Sequence, residues 1–157
     1  MEIRQRPAIE DDLPRIVELY GPAEVEQVGL REPWGLADGL ADPHWETLKG
    51  VLADPDSQLV VGLIDDYVVG FAYGVIEDLL PQAGGERIGV VKMIYVEDDA
   101  RAVGVGEVML DGLMRWFRTH GLSRFDAIVS PGHRLAKNFF EAAGFKARRI
   151  TMYRHDR

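Results

Sequence analysis

The chain has no cysteine. That excludes disulfides, a thiol nucleophile and any metal site built on thiolates. No apolar run approaches the roughly 18 residues of a membrane span, so no membrane partner is expected. The opening stretch, MEIRQRPAIEDD, lacks the apolar centre of a secretory signal, which makes the cytoplasm the expected location. Positive charge is in short supply: 18 Lys and Arg face 26 Asp and Glu, a net charge of −8. Nucleic-acid binding draws on a dense basic surface, so no such partner is expected. The acidic excess suits either plain solubility or a cationic small partner.

The chain does hold enough apolar material for one core, with 46% hydrophobic residues in a length of 157. A single domain over residues 1–157 is expected. EIRQR alternates like a short strand, and Pro7 closes it. AIEDDLPRIVELY has helical spacing, with acids at its start and Pro14 fitting best if the helix begins near Asp11. Residues 21–43 are broken by Gly and Pro and read as helix fragments and loop. PHWETLKGVLADP then fits a short helix with Asp42 as N-cap and Pro43 in its first position.

SQLVVGLIDDYVVGFAYGVIE reads as two strands joined by a tight turn at Asp65-Asp66, and RIGVVKMIYVE as a third. Together they predict an antiparallel meander. The period then changes: GEVMLDGLMRWFRTHG carries an apolar stripe at 3.6-residue spacing and ends at Gly121. SRFDAIVS follows as a strand, HRLAKNFFEAAG as a helix ending at Gly144, and FKARRITMYR as a final strand. The order predicts an α/β (α+β) domain in which the meander leads into a βαβ crossover.

Within that crossover, EDDARAVGVGEVML puts Arg101, Gly104 and Gly106 between strand and helix. A helix N-terminus presents unpaired N–H groups and a positive dipole end, and glycines let an anion approach them. The same spacing also describes a tight strand–helix connection with an incidental arginine. A Rossmann fingerprint does not fit: its third glycine would fall on Met109, and an antiparallel meander precedes the turn.

IYVEDDARAVGVGEVMLDGLM resembles the acyl-CoA-binding motif of the GNAT superfamily of N-acetyltransferases, R/Q-x-x-G-x-G/A. Arg101, Gly104 and Gly106 match its fixed positions. Ala102 and Val103 stand where a glycine and a basic residue are usual. HRLAKNFFEAAGF resembles the family's later motif through Ala136, Phe139, Glu141, Gly144 and Phe145.

The resemblance implies a mixed, mainly antiparallel sheet of about six to seven strands flanked by about four helices, splayed at the βαβ unit. It implies acetyl-CoA or another acyl-CoA as co-substrate, and no metal. The pantetheine arm would pair with residues 93–96, touching Ile94, Tyr95 and Val96. The pyrophosphate would rest on the amides of Arg101, Ala102, Val103, Gly104, Val105, Gly106 and Glu107. An amide near Ile94 would polarise the thioester carbonyl. His133, Ala136 and Phe140 would complete the cofactor contacts.

Phe140 stands where many members carry a tyrosine that protonates the leaving thiolate. Tyr95, Tyr153 or water would have to serve instead. Glu77 is the candidate base for the amine, directly or through water. The acceptor pocket implied by the resemblance would use Trp34, His44, Trp45 and Glu77. The expected acceptor is a primary amine of a small molecule. The alternatives are a degenerate acyl-CoA sensor and a protein lysine or N-terminal acetyltransferase. Members often dimerise, so a homodimer is carried as an expectation.

Overall fold

A computed structural model describes residues 1–156. Five strands form one sheet in the order of the chain: β1 (Ile3–Pro7), β2 (Ser57–Ile64), β3 (Tyr67–Asp78), β4 (Arg87–Val96) and β5 (Phe125–Ala127). The first four are antiparallel neighbours, and β5 lies parallel to β4. Five helices accompany them: α1 (Leu13–Leu30), α2 (Trp34–Ala37), α3 (His44–Ala53), α4 (Val105–Thr119) and α5 (Arg134–Ala142). The sheet therefore has fewer strands, and the fold one more helix, than the resemblance implies. Residues 143–156 form no strand, and α1 continues through Gly21-Pro22 into the stretch expected to be broken.

Each sheet face carries its own core. Leu13, Ile16 and Tyr20 of α1, with Leu48 of α3, pack on Leu59, Val61 and Phe71. On the other face, Met109, Leu113 and Phe117 of α4 pack on Val60, Ala72 and Val91. Alternate strand residues thus feed opposite layers, as a sheet covered on both faces requires.

The entry to α1 is fixed by one buried carboxylate. Asp12 accepts from both Arg6 terminal nitrogens at 2.6 and 2.9 Å and from the Ile9 N–H at 2.9 Å. The Arg6 hydrogen bonds hold its carboxyl below the usual range, against the opposing effect of burial. A depressed carboxylate contributes stability that is present above its unfolded pKa and lost as pH falls through the folded one. Asp12→Asn should therefore cost about 1–3 kcal/mol at pH 7 and progressively less below about pH 4. Urea unfolding at pH 7 and pH 3 checks this; a gap unchanged between the two pH values would contradict it.

The sheet opens at one place. The β3–β4 register slips between Tyr73 and Gly74, which pair with Met93 and Val91, so Lys92 bulges out of β4. Pairing of β5 with β4 covers Gly89, Val90 and Val91 only, extended by one bond at each end, from the Gly89 N–H to the Arg124 carbonyl and from the Ile128 N–H to the Val91 carbonyl. Beyond the bulge the two parallel strands separate, because the bulge turns the strand and interrupts its ladder.

Candidate active site

The gap between β4 and β5 is a cleft. Val91, Lys92, Met93 and Ile94 line one wall, and Ile128, Val129 and Ser130 the other. Gln27, Trp34, His133, Ala136 and Phe140 complete the lining. Its cavity volume is about 30 Å³, room for about two water molecules.

At the end of β4 the chain makes a short 3₁₀ turn over Asp98–Ala100 and then enters the glycine loop. The Arg101 N–H bonds the Asp98 carbonyl at 3.3 Å. Among the described residues, no acceptor meets the six following N–H groups, from Ala102 to Glu107; the first helical bond of α4 runs from Val108 to the Gly104 carbonyl. Ala102 (φ 66°) and Gly104 (φ 100°) both have left-handed backbone. Positive φ at alternate residues re-aims successive amides, the geometry of an anion nest. Gly106 serves a different purpose: a Cβ there would come within 3.3 Å of the Phe139 ring, so its smallness lets α5 close against α4.

Ala102→Gly relieves the left-handed cost of a Cβ but frees the unfolded chain, two effects of about 1 kcal/mol and opposite sign. The variant is expected to melt within a few degrees of the parent and keep its ligand affinity. Calorimetry and titration check both, and a large loss of either would contradict the backbone assignment.

The Arg101 side chain is directed away from the amide row. Its Nε donates to the Val96 carbonyl at 2.8 Å, and its terminal nitrogens meet Glu26 at 2.9 and 3.3 Å and Asp98 at 3.2 Å. Burial opposes its charge, but the hydrogen bond and charge of Glu26 more than offset this and raise its pKa. Glu26 also lies 3.5 Å from His133 Nε2, and Gln27 contacts His133 Nδ1 at 3.3 Å and accepts from the Ser130 hydroxyl at 2.6 Å. The C-terminal half of α1 thus ties the β4 side of the cleft mouth to the β5 side. Glu26, Gln27 and Ser130 are site residues that the sequence pattern does not single out. Partners 75 to 106 positions apart leave no local signal.

The other expected residues are spread more widely. Tyr95 is buried against Phe71 beneath the Arg101 guanidinium, and burial pushes its hydroxyl pKa up. Trp34 is buried and lines the cleft. His44 stacks edge-on against Tyr20 with ring centres 4.6 Å apart, while Trp45 is exposed on α3. Glu77 is exposed on β3, 3.7 Å from Lys92, and lies outside the cleft lining. Tyr153 is 60% exposed in the C-terminal segment, also outside the lining. Among the described residues, no cluster suits a metal ion and no helix is long and apolar enough to cross a membrane.

A family model described as the acetyltransferase (GNAT) family matches residues 13–145. The chain belongs to that family. Solved structures share the fold at low identity. AAC(6')-Iy in complex with the bisubstrate analogue CoA-S-monomethyl-acetylneamine is 18% identical, with a TM-score of 0.76 and 99% of each chain covered. A predicted acetyltransferase with acetyl-CoA from Clostridium acetobutylicum is 16% identical, with a TM-score of 0.74 over 98% of this chain and 96% of that one. A ribosomal-protein-alanine N-acetyltransferase from Brucella melitensis biovar Abortus 2308 is 17% identical, with a TM-score of 0.71 and 99% of each chain covered. No curated protein matches the chain by sequence.

Proposed function

We propose that the protein transfers an acetyl group from acetyl-CoA to a primary amine of a small cationic molecule, by direct attack in a ternary complex. The observation that carries this reading is the row of six free amides, from Ala102 to Glu107, opening beside the parted strands. Such a row fits a pyrophosphate, and a strand edge released from its neighbour fits a thin amide-bearing arm. Bound acetyl-CoA would supply an activated thioester carbonyl. The chain's own part is to hold it, through the loop amides, through Ile94, Tyr95 and Val96 of β4, and through His133, Ala136 and Phe140 on the other side.

Phe140 brings no proton to the cleft. Ser130 supplies the one hydroxyl among the lining residues, and it is buried. Its hydrogen is donated to Gln27 Oε1, so we assign it the role of positioning, through its lone pairs, the water that protonates the departing thiolate. A thiolate leaves readily, so the gain from a positioned donor is modest for this class of step. Ser130→Ala is expected to lower kcat about fivefold with the KM for acetyl-CoA little changed, a split that steady-state kinetics reads directly. Glu77, held by Lys92 outside the lining, acts on the acceptor only through solvent. The net charge of −8 favours a cationic acceptor.

The absence of cysteine makes the test clean, because a thiol reagent will report released CoA alone. The protein is mixed with acetyl-CoA and a panel of polyamines, aminoglycosides, amino acids and peptides with free N-termini. Thiol release is expected with a small polycation. Release only with peptides would move the reading to a protein acetyltransferase. Tight binding with no release for any amine would make the protein a sensor.

A further inference from the structure

Lys92 is the residue at which the sheet parts, and transfer to an external amine leaves its own amine unused. It bulges from β4 between Val91 and Met93 and lines the cleft. Among the lining residues it is the one primary amine. The carboxylate beside its ammonium is Glu77, at 3.7 Å, and the two side chains are 38% and 46% exposed. At that length the pair is an ion contact without a hydrogen bond, and exposed pairs of this kind hold a side chain weakly. A lysine stem is flexible along its four carbons, so the amine is free to turn from Glu77 towards the cleft.

We propose, on the reading that the cleft holds acetyl-CoA, that Lys92 is itself acetylated there by the thioester bound to its own chain. On that reading the carbonyl lies near Ile94, two positions further along the same wall. One proton leaves the ammonium for Glu77 and passes to solvent. The Nζ lone pair then forms the N–C bond to the carbonyl carbon, and the C–S bond breaks with its electron pair on sulfur. A second proton leaves the nitrogen, and the thiolate takes one from the water at Ser130. The products are an acetyl-lysine, free CoA and one proton in solution. Proximity carries the rate: an amine built into the wall meets the thioester at an effective concentration that no dissolved amine reaches. The amide formed carries no charge and leaves Glu77 without its counter-ion. A cationic acceptor then meets one positive charge fewer in the cleft wall.

The other lysines of the chain, Lys49, Lys137 and Lys146, lie outside the cleft lining and serve as internal controls. Lys49 and Lys137 are more exposed than Lys92, so uncatalysed acetylation from solution favours them. The full chain is incubated with acetyl-CoA at about pH 8 with no added amine, and each lysine is read by peptide mass spectrometry. Lys92 is expected to gain its acetyl group about tenfold faster than the other three. In Gly104→Val, whose loop amides are re-aimed, it should fall back to the common rate. A Lys92 rate no faster than the rest, or unchanged in Gly104→Val, would overturn the proposal. Labelling with an amine-reactive ester in the presence of CoA, which has no acetyl group to give, tests the cofactor reading separately. CoA should shield Lys92 and leave Lys49 and Lys137 open to the ester. Shielding without acetylation would overturn self-acetylation alone, and no shielding would overturn the acetyl-CoA reading with it.

Discussion

Gly104→Val is expected to weaken acetyl-CoA binding at least 100-fold while leaving the protein folded. Gly104 is the N-cap of α4 at φ 100°, and open space surrounds the position where a Cβ would go. The obstacle to a side chain is therefore the backbone conformation, not a clash. A β-branched residue in that region costs about 1–3 kcal/mol. The chain escapes the cost by rotating the peptide and re-aiming the free amides. Phosphate recognition depends on several amides converging at once, so a modest rotation removes most of it. Gly121→Val is the matched control: it also stands at positive φ, 78°, but at the other end of α4. It should melt earlier by a similar margin and bind acetyl-CoA as the parent does. Titration calorimetry on both separates loss of the nest from general weakening.

Glu26→Gln should act in the opposite direction, lowering the Kd for acetyl-CoA about tenfold, or ~1.4 kcal/mol. The Glu26 carboxylate sits between the Arg101 guanidinium and the His133 ring at the cleft mouth. It occupies the guanidinium that a negatively charged ligand would otherwise draw on, and with Gln27 it ties α1 across the cleft mouth. Binding must displace that latch, and part of the intrinsic affinity is spent in doing so. A glutamine removes the charge and retains the shape. The unliganded variant should melt a few degrees lower, since a half-buried ion pair is lost, and the gain in affinity should shrink as salt rises. Weaker binding by the variant would mean instead that the Glu26–Arg101 pair shapes the nest.

The parts of this site that were legible in the sequence are the local ones. The glycine loop, the apolar stripe of α4 and the α5 motif each declare themselves within about fifteen residues, because helix periodicity and turn chemistry are short-range properties. The expected β5 was eight residues and the observed strand is three, since alternation reports strand propensity but not where two strands part. The Lys92 bulge that parts them is a register event, set by the neighbouring strand. FKARRITMYR misled in the same way: its alternation describes a strand, yet residues 146–155 form none. Glu26 and Gln27 lay in a stretch read as broken because Gly21-Pro22 interrupts it. Pro22 is tolerated because burial of Tyr20 and Ala23 holds the helix across it.

The most direct measurement of the central claim is amide chemical shift in the 15N-labelled protein during titration with CoA. The predicted result is large, saturable movement of the amides of residues 102–107, together with those of residues 91–94 on β4 and 128–130 beyond β5. Saturation that leaves the 102–107 amides unmoved, with shifts confined to some other surface, would contradict it.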